Sequence, residues 1–182
     1  MRLFVAVDIG QDCRVALAQA MAKLKAAGAD VKWIRRENLH VTLNFLGHTR
    51  EDPEKIAVAL NSTRQKKYAM EIRGIGALPN LVRPRIIYAG ITEGGQELGR
   101  TAQFVSTALE PLGCKGEVRA FLPHVTIGRV KSPKGTEKLA QKMSEQESEN
   151  FGKIPVDGFL LMKSDLGPGG PVYTKLAEIP LV

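Results

Sequence analysis

The tripeptide His-Val-Thr occurs twice, in "NLHVTLNFLG" (38–47) and in "LPHVTIGRV" (122–130), each time inside an apolar run, although the 182-residue chain has only three histidines. His40 and His124 stand 84 positions apart (124 − 40). A second pair of landmarks repeats at nearly the same distance: "RLFVAVDI" from Arg2 is answered by "RIIYAGI" from Arg85, 83 positions on (85 − 2). Two independent landmarks agreeing within one residue indicate an internal duplication, with repeats of approximately 1–83 and 84–182. The period is too long, and the copies too few, for a solenoid. No Pro/Gly/Ser-rich linker divides the halves, so residues 1–182 read as one domain with a cleft.

Each half repeats an order of elements. "RLFVAVDI" is β-branched and apolar, and it gives way to "QDCRVALAQAMAKLKAAGA", whose Val15, Leu17, Met21 and Leu24 recur at helical spacing until Gly28. A short strand over Val31–Ile34 and the motif strand 39–47 follow. "EDPEKIAVALNSTRQKK" (51–67) reads as a helix opened by Pro53, and "YAMEIRGIGAL" (68–78) as a strand. The second half runs strand 85–91, helix 94–113, motif strand 122–130, helix 134–150, one strand over 151–166, and a last strand over 171–179 after the turn "GPGG". The predicted class is α+β: two lobes related by a pseudo-twofold, each a mainly antiparallel sheet with helices outside, and a central groove between them.

Composition excludes some roles. No apolar run approaches the roughly 18 residues of a membrane span, and "MRLFVAVDIG" lacks the apolar region and cleavage site of a secretory signal. Cys13 and Cys114, the latter in "GCKG", form no disulfide framework and no metal-binding spacing, so both read as reduced thiols. These features predict a cytoplasmic protein with no membrane partner. A net charge of +7 favours polyanionic partners without naming one.

On a strand, residues i and i+2 share a face. His40 therefore stands beside Thr42, with Val41 and Leu43 turned to the core, and His124 stands beside Thr126, with Val125 and Ile127 turned inward. Facing lobes would bring two imidazoles and two hydroxyls into one groove. Such a set suits in-line displacement at phosphorus: a neutral imidazole takes a proton from the nucleophile and a protonated one gives a proton to the leaving oxygen. A reference pKa near 6.5 lets both forms coexist around neutrality. The hydroxyls can donate to non-bridging oxygens as charge grows. No metal or cofactor is needed, and neither motif carries a carboxylate or thiolate beside its histidine; His48, just past a strand end, does not complete a ligand set.

"WIRRENLHVTLNFLG" and "AFLPHVTIGRV", with "MRLFVAVDI" at the start, closely resemble the 2H phosphoesterase superfamily, and within it the bacterial and archaeal RNA 2′,3′-cyclic phosphodiesterases, also called 2′-5′ RNA ligases. The resemblance covers essentially the whole chain. It implies a bilobed α+β fold with the motifs facing across a groove, and hydrolysis of a terminal 2′,3′-cyclic phosphate to a 2′-phosphate, with 2′-5′ ligation as the reverse reaction. It casts His40 as the acid protonating the 3′ oxygen and His124 as the base activating water. It also places Arg129 near the phosphate or ribose.

Regular alternation puts Arg129 on the face opposite His124, so it reaches the groove only through a bulge or the strand's end at Gly128. The first motif has no such arginine; Leu46 and Gly47 occupy the comparable positions. Asn44 shares a face with His40 and Thr42. Phe45 and Phe121 flank the motifs and could stack on a base, though both read first as core residues, as does Trp33. Arg35, Arg36, Arg83, Arg85, Lys131 and Lys134 flank the motif strands and could track an RNA backbone. "SEQESEN" (144–150) reads as an exposed helix end. The expected partner is RNA or a nucleotide with a 2′,3′-cyclic phosphate end, bound by a monomer. The alternatives are a non-catalytic RNA-binding module and a 2H enzyme for another cyclic phosphate, such as ADP-ribose 1″,2″-cyclic phosphate.

Overall fold

Both motif runs are strands, and they lie side by side at the centre of one curled antiparallel sheet. A computed structural model describes residues 1–114 and 120–182; Lys115 and Gly116 of "GCKG" lie outside them. The described strands are β1 (Arg2–Asp8), β2 (Val31–Trp33), β3 (His40–His48), β4 (Tyr68–Leu78), β5 (Ile86–Glu93), β6 (His124–Val130), β7 (Asn150–Val156), β8 (Gly158–Gly167) and β9 (Gly170–Pro180). The helices are α1 (Gly10–Lys25), α2 (Pro53–Leu60), α3 (Gly95–Leu109) and α4 (Thr136–Ser144).

The strand order is β7-β4-β5-β6-β3-β1-β8-β9, with β2 also pairing β6. It is symmetric about the β6/β3 junction, where one bridge, Val41 to Val125, joins the sheets of the two lobes. The lobes are not the sequence halves. β4, from the first half, pairs with β5 and β7, whereas β8, from the second half, pairs with β1. The helices cross over in the same way: α1 packs on β7 and α4, and α3 packs on β3 and α2. Each lobe therefore needs strands and a helix from both repeats, which ties the groove walls together without a linker.

Alternation explains the layering. Leu3, Val5 and Val7 join the core under the helices, whereas Phe4 and Ala6 line the concave side. No helix among the described residues is long and apolar enough to cross a membrane.

Three predicted elements are cut short or divided. The helix expected over 51–67 begins as anticipated, with Asp52 accepting from the Glu54 amide (3.0 Å) and Pro53 at its first position, but ends at Leu60. Beyond it, Val182 takes the Gln65 and Lys67 backbone groups. The helix expected over 134–150 ends at Ser144, and "SEQESEN" is not simply exposed. Gln146 is buried, and its main-chain carbonyl accepts from the Ile75 amide (3.0 Å) while that of Glu149 accepts from the Gly74 amide (2.8 Å). The single strand expected over 151–166 breaks at Asp157, and its two parts go to different lobes.

Gly74 has φ +79°, and a Cβ there would sit 2.4 Å from the Glu147 carbonyl oxygen. Gly47 has φ +66° but open space around it. Gly47→Ala is expected to cost about 1 kcal/mol, the left-handed backbone alone. Gly74→Ala adds a backbone clash and is expected to cost about 3 kcal/mol in urea denaturation.

Candidate active site

The bridge fixes the register of the two motifs. With Val41 opposite Val125, extending the antiparallel pairing sets His40 across from Thr126 and Thr42 across from His124. All four side chains line one groove of about 480 Å³.

Beside a further shift at Leu46, where Leu3 pairs with Gly47 and Phe4 with Phe45, the two motif strands carry one extra residue each at matching places. Along β3, Val5 pairs with Asn44 and Ala6 with Thr42, so Leu43 is unmatched. Along β6, Ile87 pairs with Gly128 and Tyr88 with Thr126, so Ile127 is unmatched. The two bulges sit three residues past each histidine, and each resets the alternation. Arg129 is thereby brought to the groove, as it requires. The counterpart of Arg129 in the first motif is Phe45, five residues past its histidine, rather than Leu46 or Gly47. Phe45 lines the groove and is 46% exposed, so it is not a core residue. Asn44 does not share the face of His40 and Thr42: it is buried, and its Oδ1 has no hydrogen-bond partner among the described residues.

The imidazoles are held alike. His40 Nδ1–H donates to the Asn38 carbonyl and His124 Nδ1–H to the Leu122 carbonyl, both at 2.6 Å. A carbonyl can only accept, so Nδ1 carries the proton and Nε2 is the working nitrogen. The Thr42 hydroxyl donates to His40 Nε2 at 2.9 Å. Among the described residues, the Thr126 hydroxyl makes no such bond to His124.

The surroundings differ more. The His40 ring lies 5.0 Å from that of Phe4 and 5.5 Å from that of Tyr173, whereas the His124 ring lies 5.7 Å from Tyr88. Burial pushes the His40 pKa below its ordinary value; Arg14 and His124 push it the same way, while the Asn38 carbonyl and Asp8 oppose. Arg2, Lys32, Arg35, Arg129 and Lys131 line the groove, no acidic residue does, and none of the five is ion-paired among the described residues. Arg36, Arg83, Arg85 and Lys134 are not among the lining residues. Trp33 is half-buried and lines the groove while packing on Gly128; Phe121 packs against the core as expected.

No three His, Cys, Asp or Glu side chains gather among the described residues as a metal site would require. Cys13 and Cys114 are free and buried, and burial pushes the Cys13 thiol up. His48 is the last residue of β3, pairing with Arg2.

Sequence reasoning ranked core packing above a base-stacking role for Phe45, and it missed Arg14 and Tyr173. The +5 spacing from each histidine would have found Phe45. The other two come from α1 and β9, and no local pattern marks them.

Two carbonyl-held imidazoles open into a cationic groove, an arrangement suited to a phosphoester. The chain belongs to the LigT-like phosphoesterase family, whose pattern matches residues 7–88 and 90–173. An Archaeoglobus fulgidus protein named RNA 2′,3′-cyclic phosphodiesterase is 36% identical over 177 residues, 97% of this chain and 98% of its own. One of the same name from Methanothermobacter thermautotrophicus is 32% identical over 179 residues, 97% and 96% of the two chains. The crystal structure of a Thermus thermophilus protein matches with a TM-score of 0.81 at 31% identity, covering 100% of this chain and 98% of that one.

A histidine with a depressed folded pKa binds its proton less readily than in the unfolded chain, so it costs stability as pH falls through the unfolded value near 6.5 and toward its folded one. The His40 ring is expected to titrate below 6.5 by NMR. His40→Gln should flatten the loss of unfolding free energy between neutrality and mild acid.

Proposed function

We propose that this protein hydrolyses terminal 2′,3′-cyclic phosphates of RNA to 2′-phosphates by paired acid and base catalysis, with His40 and His124 as the catalytic residues. The observation that carries this reading is the matched pair: each Nδ1 is tied to a main-chain carbonyl two residues back, leaving each Nε2 to the same groove. The relatives' shared name, RNA 2′,3′-cyclic phosphodiesterase, supports the substrate class.

In the hydrolytic step a water oxygen attacks phosphorus as the bond to the 3′ oxygen breaks. Following the resemblance, His124 takes the water proton and His40 gives its proton to the departing 3′ oxygen. An arriving phosphodiester anion favours the protonated imidazole, so it restores to His40 the proton that burial disfavours. Once His40 is protonated its Nε2 no longer accepts from Thr42, so Thr42 and Thr126 donate to the non-bridging oxygens, and Arg129 neutralises charge beside them. The five groove cations suit the phosphates of an attached strand. With a 5′-hydroxyl in place of water as the nucleophile, the same displacement of the 3′ oxygen leaves a 2′-5′ linkage, and its reversal cleaves that linkage. We propose that the chemistry needs no resident metal and that a monomer suffices.

His40→Ala and His124→Ala should each lower kcat by about 10²- to 10⁴-fold with the fold and RNA binding retained. Unchanged turnover in both would reject the catalytic reading and leave an RNA-binding module. Product analysis on a 2′,3′-cyclic-ended oligonucleotide should show a 2′-phosphate, and activity should survive exhaustive chelation. A substrate panel including ADP-ribose 1″,2″-cyclic phosphate separates this function from its relatives. KM for an oligonucleotide should rise more steeply with salt than KM for a cyclic mononucleotide; Arg129→Ala should reduce the log–log slope by about 0.7.

A further inference from the structure

The pseudo-twofold supplies an internal control for each histidine, and the two differ in one respect that the repeat does not explain. In the β1/β3 register Asp8 stands opposite His40; in the β5/β6 register Gly90 stands opposite His124. Aligning the buried positions Cys13, Leu17, Ala20 and Leu24 of α1 with Leu98, Ala102, Val105 and Leu109 of α3 gives a constant offset of 85, and this sets Arg14 against Gly99. His40 thus has a carboxylate and a guanidinium where His124 has two glycines.

The pair is built into the fold. Arg14 is 17% exposed, and its guanidinium holds the Asp8 carboxylate while donating to the Leu39 carbonyl at 3.2 Å. Asp8 Oδ2 in turn accepts from the Gly10 amide at 3.3 Å, at the start of α1. Leu39 immediately precedes His40. One side chain therefore connects a helix packed on the β7 side of the molecule to the backbone that carries the first histidine. Asp8, Arg14 and His40 also line a common cavity of about 250 Å³ that shares Phe4, Arg35, Asn38, His40, Pro171 and Tyr173 with the groove.

We propose that Arg14 and Asp8 are positioning residues that make the two histidines inequivalent: Arg14 fixes the main chain at His40, and the opposite charges of the pair flank an imidazole whose counterpart in the second repeat has two glycines there. This rests on the two-histidine reading above. The charged and titratable groups facing His40 are Asp8 from β1, Arg14 from α1, His124 from β6, Tyr173 from β9, and Arg35 and Glu37 around the 3-10 turn at 36–38. Of these, Arg14 and Asp8 act on the His40 proton in opposite senses, Arg14 disfavouring it and Asp8 favouring it.

That opposition gives the test. Whichever histidine serves as acid, the lower limb of the pH–kcat/KM bell follows the more weakly basic imidazole. Arg14→Met should move that limb upward and Asp8→Asn should move it downward, on a cyclic nucleotide substrate. Arg14→Lys keeps the cation and should hold the limb near its wild-type place while lowering the plateau rate, because its ammonium lies one bond nearer the main chain than Nη2, the single nitrogen that holds both oxygens. The His40 C2–H titration by NMR should shift in the same directions without substrate. If Arg14→Met does not fold, Asp8→Asn and Arg14→Lys carry the test. Limbs that stay fixed, or that move the same way in Arg14→Met and Asp8→Asn, overturn the proposal. A wild type without a bell, or His40→Ala at full activity, would instead overturn the catalytic reading on which it stands.

Discussion

A single β-bridge between two fully buried valines, Val41 and Val125, holds the centre of this molecule. Because side chains on a strand alternate, burying those two valines on one side obliges their neighbours to emerge on the other. His40, Thr42, His124 and Thr126 follow from that requirement with no further freedom. β3 and β6 pair at that bridge alone, and the crossing of β4 and β8 between lobes ties the groove walls together. Substituting either valine with a polar group would disturb the core and the relative placement of both motifs together.

The bulges at Leu43 and Ile127 act on the same geometry. Each inserts one residue at the equivalent point past its histidine, so that two consecutive side chains turn inward and the next emerges. One repeat has an aromatic ring at the emerging position, Phe45, and the other a guanidinium, Arg129. A symmetric scaffold thereby presents an asymmetric surface, as a substrate with different groups on its two sides requires. The carbonyls of Asn38 and Leu122 keep the tautomers alike, while Asp8 and Arg14 stand beside His40 where the second repeat has glycines, and burial pushes the His40 pKa down. Symmetry sets the two imidazoles in one groove, and local departures from it distinguish the two sides.

Much of this was legible in the residues themselves. The repeat of His-Val-Thr 84 residues apart, the i and i+2 facing of His40 with Thr42 and of His124 with Thr126, and the apolar runs of nearly every strand needed only local pattern. Where local pattern misled, a distant partner was responsible. Val182 takes the backbone that would have continued α2; β4 takes the carbonyls of Gln146 and Glu149. Asn44 and Phe45 were assigned to the wrong sides because a bulge is specified by the neighbouring strand's register.

The sequence by itself determined which residues repeat, which faces of each strand are apolar, and which side chains have the chemistry for proton transfer at phosphorus, since all of these are properties of spacing and residue type. Tertiary structure alone decided that the lobes exchange strands and helices between repeats, that Arg129 and Phe45 reach the groove, and that Arg14 reaches across from α1 to the backbone beside His40. Those outcomes depend on which strands pair and in what register, a free-energy balance over contacts far apart in the chain that no local stretch encodes.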